Sequence, residues 1–137
     1  MIPNSNKRTA FASLFAALAV SASAQTGPMV GTVKTNEAYF LYRPGAVEKN
    51  LRLSVLNAAN QVVATSDGFS DDVNDYVAKF HATGLQPSTS YTYRIDDLSS
   101  GSPVQIVGPS DGLRFKTFAP VGSKGVVTVA FMSCANS

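Results

Sequence analysis

A chain of 137 residues with 45% hydrophobic and 15% charged residues has the size and composition of one globular domain. Eleven basic residues against nine acidic ones give a formal charge of +2, but Lys7 and Arg8 lie in a segment argued below to be removed, which leaves nine of each. A near-neutral chain without a Lys/Arg cluster is a poor match to nucleic acid, and the single cysteine, Cys134, excludes an intramolecular disulfide, so the fold rests on its apolar core.

Met1 to Arg8 is polar, and its only charges are Lys7 and Arg8. Ala10 to Val20 is an apolar run of Ala, Leu, Phe and Val, followed by Ala22-Ser23-Ala24. This is the pattern of a signal peptide over residues 1–24, cut before Gln25, and it places the mature protein in the periplasm or outside the cell. The run is shorter than the roughly 20 residues of a membrane span, so no span is expected after cleavage. Lys7-Arg8 is not a twin-arginine pair, which favours the general secretory route.

From Gly27 onward, short alternating segments separated by turn residues predict strands. Val30 to Val33 reads as a short edge strand after Pro28. Ala38, Phe40 and Tyr42 alternate with Tyr39, Leu41 and Arg43, and Pro44-Gly45 ends that strand. Leu51, Leu53 and Val55 alternate with Arg52, Ser54 and Leu56, and a turn at Asn57–Asn60 leads into Gln61–Thr65 as a hairpin. Ser66 to Asp75 reads as a loop. Its carboxylates Asp67, Asp71, Asp72 and Asp75 raise the question of a cation site, but their spacing departs from the calcium-loop pattern and a solvated acidic loop is the expectation. Tyr76, Ala78 and Phe80 are expected inward, with Val77, Lys79 and His81 outward. His81 is the only histidine, and without a neighbouring nucleophile or second ligand it reads as a surface strand residue.

The stretch from Gly84 to Ile95 organises the rest. Leu85 closes one strand, Pro87 fixes φ and lacks a donor, and Ser88-Thr89-Ser90 supply turn hydroxyls. Tyr91, Tyr93 and Ile95 then share the inward face of a new strand. A tyrosine just after such a turn returns its hydroxyl to upstream backbone in the tyrosine corner of β-sandwiches, so Leu85, Pro87 and Tyr91 are candidate structural residues. Val104 to Val107 pairs briefly inside a Gly/Pro loop, and Leu113, Phe115 and Thr117 form the final strand. About seven strands in roughly a hundred residues, with no helix-period segment, predict an all-β immunoglobulin/fibronectin type III-like antiparallel sandwich over residues 25–118.

Residues 119–125 read as a linker rich in Pro, Gly and Ser. Val126 to Met132 is almost continuously apolar, with Ser133-Cys134-Ala135-Asn136 at its tip. A strand apolar on both faces belongs in the middle of a layered α/β domain, which makes residues 126–137 the opening strand of a second, truncated domain. The alternative is that this run closes the sandwich, with Cys134 a small buried hydrophobe.

The combination of Gly27-Pro28-Met29-Val30-Gly31, the Leu85-x-Pro87-x-Thr89-x-Tyr91-x-Tyr93-Arg94 corner, Phe115-Lys116-Thr117 and the tip Phe131-x-Ser133-Cys134-Ala135-Asn136 resembles the PhoD-like alkaline phosphatase and phosphodiesterase family. The resemblance implies a signal peptide, a non-catalytic fibronectin-like N-terminal domain and then a metallophosphatase domain that acts on phosphate esters with iron and calcium. It implies that Cys134 is a thiolate ligand to iron in an incomplete metal site, and that the fragment alone holds no cofactor and lacks the hydrolase domain. The chain departs from the family in lacking the Trp often found in an early sandwich strand, where Leu41 stands. Two other readings share the fold: a stand-alone secreted module binding protein or carbohydrate, for which Tyr39 and Leu41 are the exposed candidates, and the N-terminal sandwich of a purple acid phosphatase-type enzyme.

Overall fold

The structure, a computed structural model, describes residues 25–124; the expected signal peptide, the apolar run at 126–132 and Cys134 lie outside them. The described residues form β1 (Thr26–Val33), β2 (Glu37–Arg43), β3 (Lys49–Leu56), β4 (Val62–Ser70), β5 (Ala78–Thr83), β6 (Ser90–Asp97), β7 (Val104–Val107) and β8 (Arg114–Lys116), with short 3-10 turns at Asp72–Asn74 and Pro109–Asp111. The order β1-β2-β5 makes one sheet. The order β4-β3-β6-β7 makes the other, with β8 also on β6, and every pairing is antiparallel. The fold is the all-β, fibronectin-like sandwich predicted from the alternation. No helix among the described residues is long and apolar enough to cross a membrane.

The inward residues of each strand meet in one core. Phe40 and Tyr42 on β2, Leu51, Leu53 and Val55 on β3, Phe80 on β5, Tyr91, Tyr93 and Ile95 on β6 and Phe115 on β8 are all buried. Phe40 packs against Tyr93 and Phe115 with ring centroids 4.9 and 5.3 Å apart, so the two sheets are joined through aromatic rings. Leu41 faces outward, and the aromatic share of the core on β2 falls to Phe40 and Tyr42.

Three expectations are corrected. β1 starts at Thr26, ahead of Pro28, because it is an edge strand whose register slips between Thr26 and Met29; there a proline without N–H is tolerated. Ser66 to Ser70 is strand: it completes β4 and pairs residue by residue with Lys49 to Leu53. Its inward positions, Ala64, Ser66, Gly68 and Ser70, are small because β4 lies against the free edge of β5. The Ser66 hydroxyl accepts the His81 N–H at 3.0 Å, and a Cβ at Gly68 would sit 2.8 Å from the Phe80 ring. Tyr76 does not begin β5: it sits at φ 57° in the turn after Asp72–Asn74, and β5 begins at Ala78. The two segments expected after Asp97 are both found as strands. β7 pairs with Ile95–Asp97 and β8 with Ser90–Thr92, and Pro109–Asp111 lies between them, so eight segments fill seven places.

Candidate functional site

The corner after β5 gathers the chain's special residues at one end of the sandwich. Leu85 is buried and its N–H donates to Asn36 O at 2.9 Å. Ser88 occupies the left-handed region at φ 53°, which turns the chain back. The Tyr91 ring is buried against Phe115, and its hydroxyl accepts the Gln86 N–H at 2.9 Å. Gln86 O in turn accepts the buried Thr117 hydroxyl at 2.6 Å, and that hydroxyl accepts the Thr89 N–H at 3.0 Å. Polar groups that the turn takes out of both ladders are thereby paired, which is what allows a turn to sit over a core. The same end holds the departing chain. Phe118 N–H donates to Lys34 O at 3.1 Å, and Phe118 O accepts the Ser88 N–H at 3.0 Å.

Beside this end lies a small charged and aromatic group on the outer face of the three-stranded sheet. Tyr39 and His81 are cross-strand partners, and their rings stack at 4.2 Å and 6°. Glu37 bridges Lys34 at 2.5 Å and His81 Nε2 at 2.7 Å. Its carboxyl is held below the usual carboxylate range, first by the Lys34 hydrogen bond and then by His81. The Lys34 ammonium lies 5.9 Å from the Tyr39 ring centre. Tyr39 is thus engaged by its own neighbours and is not a bare stacking platform for a sugar. Among the described residues no nucleophilic side chain is hydrogen-bonded to the His81 ring, so their geometry offers no general-base pair.

The carboxylates of the former loop disperse. Asp67 forms a two-pronged pair with Arg52 at 2.6 and 2.7 Å, which holds its pKa down. Asp71 caps the turn through Asn74 N–H at 2.8 Å, and Asp75 meets Arg43 at 3.2 Å. Among the described residues no group of three His, Cys, Asp or Glu side chains converges to hold a metal ion. At the far end of the core, Lys49 pairs with Asp97, whose pKa falls to about 2 through that hydrogen bond and the Ser99 N–H. Tyr42 lies buried there without a hydrogen-bond partner for its hydroxyl, and burial, then the Asp97 charge, pushes its pKa up. Two open grooves are present, of about 420 Å³ along Met29, Leu41 and Val77, where Asp75 is paired with Arg43, and about 540 Å³ along Leu51, Gly68 and Phe69, where Asp67 is paired with Arg52.

No family model matches the chain, and no curated protein matches its sequence. Among solved structures, the fold is similar to that of PhoD, with a TM-score of 0.56 and 16% identity over 72% of this chain and 20% of that one. The sandwich is PhoD-like in fold. The chain spans about a fifth of the length of the PhoD structure that it matches. A computationally redesigned β-sandwich protein is similar at a TM-score of 0.47 and 16% identity, over 69% of this chain and 94% of that one, a likeness too slight to build on.

Within this PhoD-like sandwich, Leu85, Pro87 and Tyr91 come together at one end, and Cys134 lies outside the described residues. Sequence reasoning missed the anchoring of Phe118 to Lys34 and Ser88. The available signal was the alternation continuing past Phe115 and Thr117, which marks Phe118 as outward but does not say what holds it.

Proposed function

We propose that this chain is the export signal (1–24) and non-catalytic N-terminal sandwich (25–118) of a PhoD-like alkaline phosphatase/phosphodiesterase, with 119–125 as linker and 126–137 as the opening strand of the metal-dependent hydrolase domain. The observation that carries the reading is the fold likeness to PhoD, which takes in 72% of this chain and only 20% of that one. The leader pattern at Ala10–Ala24 and the apolar run that follows a Pro/Gly/Ser linker support it from the sequence. In this reading the protein is secreted or periplasmic, phosphate esters are substrates of the complete enzyme, and the hydrolase domain is the partner of the sandwich. Iron and calcium belong to that domain. The described residues do not fit them, since no three His, Cys, Asp or Glu side chains converge among them and Asp67, Asp71 and Asp75 are drawn apart to Arg52, a turn cap and Arg43. Cys134 is the one ligand this chain would contribute, and its companions would come from beyond Ser137.

Two measurements test the reading. The DNA downstream of the Ser137 codon should continue in frame with a segment rich in Asp, Asn and His. The purified 137-residue chain, supplied with iron and calcium, should not hydrolyse a generic phosphomonoester or phosphodiester. Turnover that vanishes in Cys134→Ala would refute the claim that catalysis needs the further domain.

A further inference from the structure

We propose that the end of the sandwich from which the chain departs is a rigid seat for the hydrolase domain, with the Phe118 side chain at its apolar centre. The inference rests on the reading just given and adds which surface makes the contact, and that the contact is fixed.

Three observations converge on this end. The main chain of Phe118 is held from both sides, by Lys34 O and Ser88 N–H, yet its side chain is 53% exposed. The two backbone bonds fix the point from which the ring leaves the chain, and the ring lies half in water.

The linker is the second observation. Six extended residues from Phe118 to Lys124 would reach about 20 Å. Instead, Ser123 N–H and Ser123 Oγ both donate to Pro120 O, at 3.1 and 2.5 Å, and close a turn that shortens the span. Whatever is tethered after Lys124 is therefore held close to this end, and a short tether raises its local concentration enough for a modest contact area to suffice.

The third observation is the chemistry of the surface. Val121, 98% exposed within that turn, and exposed Pro87, next to the Ser88 that bonds Phe118 O, add apolar surface at this end. The linked side chains of Lys34, Glu37 and His81 stand next to it as a polar margin. An apolar centre with a charged margin is the anatomy of a domain–domain contact, and contacts of this kind within one chain bury about 600–1,500 Å².

The test uses the intact natural product that contains this chain, treated with trypsin, and follows cleavage after Lys124 by mass spectrometry. A seated domain should shield Lys124, so the intact product should be cut there far more slowly than the 137-residue chain. Phe118→Asp and Val121→Asp should each speed that cut by about tenfold, the expected loss for one apolar anchor. Val73→Asp, at a likewise exposed site on the opposite end, should leave the rate unchanged. Val121 is free of the core, so its variant keeps the test decisive even if Phe118→Asp disturbs the sandwich. A product that hydrolyses phosphate esters but is cut at Lys124 as fast as the 137-residue chain overturns the seat and leaves the proposed function standing. A product without phosphate-ester hydrolysis overturns both.

Discussion

Removing one hydroxyl should have opposite consequences at two tyrosines of this core. In Tyr91→Phe the ring keeps its packing against Phe115 at 5.6 Å, and only the bond from Gln86 N–H is lost. A net hydrogen bond contributes about 0.5–1.5 kcal/mol, and because Gln86 is exposed, water takes over part of the freed donor. The cost should be about 1 kcal/mol. With a urea m-value of about 1–3 kcal/mol/M, the denaturation midpoint should fall by roughly 0.5 M at unchanged slope. Tyr42 is buried as deeply, but its hydroxyl has no partner, so Tyr42→Phe removes a desolvated group and no bond. That variant should match the parent or gain up to about 1 kcal/mol. Urea unfolding of both variants, followed by far-UV circular dichroism, decides the matter. Equal losses at the two positions, or an unmoved midpoint in Tyr91→Phe, would refute the assignment of the corner bond.

Other perturbations address the remaining elements. Gly68→Ala should destabilise the sandwich by about 1–3 kcal/mol in thermal or urea unfolding, because its Cβ would meet the Phe80 ring at 2.8 Å and Lys79 O at 3.0 Å. Asp97 has a folded pKa near 2, below its ordinary 3.8, so its pairing with Lys49 stabilises the fold above about pH 4 and is lost as pH falls toward 2. The loss should be about 1–2 kcal/mol allowing for partial solvent screening, and Asp97→Asn should flatten the stability curve across that window. Adjacent residues on β2 should differ sharply: Phe40→Ala should cost about 3–5 kcal/mol, and outward Leu41→Ser about 0.5 kcal/mol or less.

What was legible in the residues was whatever a strand decides locally. Ala38, Phe40 and Tyr42, then Leu51, Leu53 and Val55, then Tyr91, Tyr93 and Ile95 alternate because these faces meet the core, and those strands stand where the alternation puts them, although Ser54, Leu56 and Asp96 on the other face are buried too. The hairpin at Asn57–Asn60 was legible for the same reason. Asn57 Oδ1 accepts Ala59 N–H and Gln61 N–H, a turn written into a few neighbouring residues.

The rest depends on distances between elements that are remote in sequence. Ser66 to Ser70 carries no apolar alternation, because its inward side chains are sized by the approach of β5 and not by the need to fill a core. Asp67, Asp71 and Asp75 are neighbours in the chain, yet they separate toward Arg52, the Asn74 cap and Arg43. The pairing of both β7 and β8 with one edge of β6 and the anchoring of Phe118 follow from which edge of β6 remains open and where Lys34 and Ser88 arrive. By itself the sequence determined a fibronectin-like sandwich, since period-two burial needs only near neighbours. Only the tertiary structure decided how the sandwich's edge is closed and which end holds the departing chain, since those contacts join backbone groups tens of residues apart.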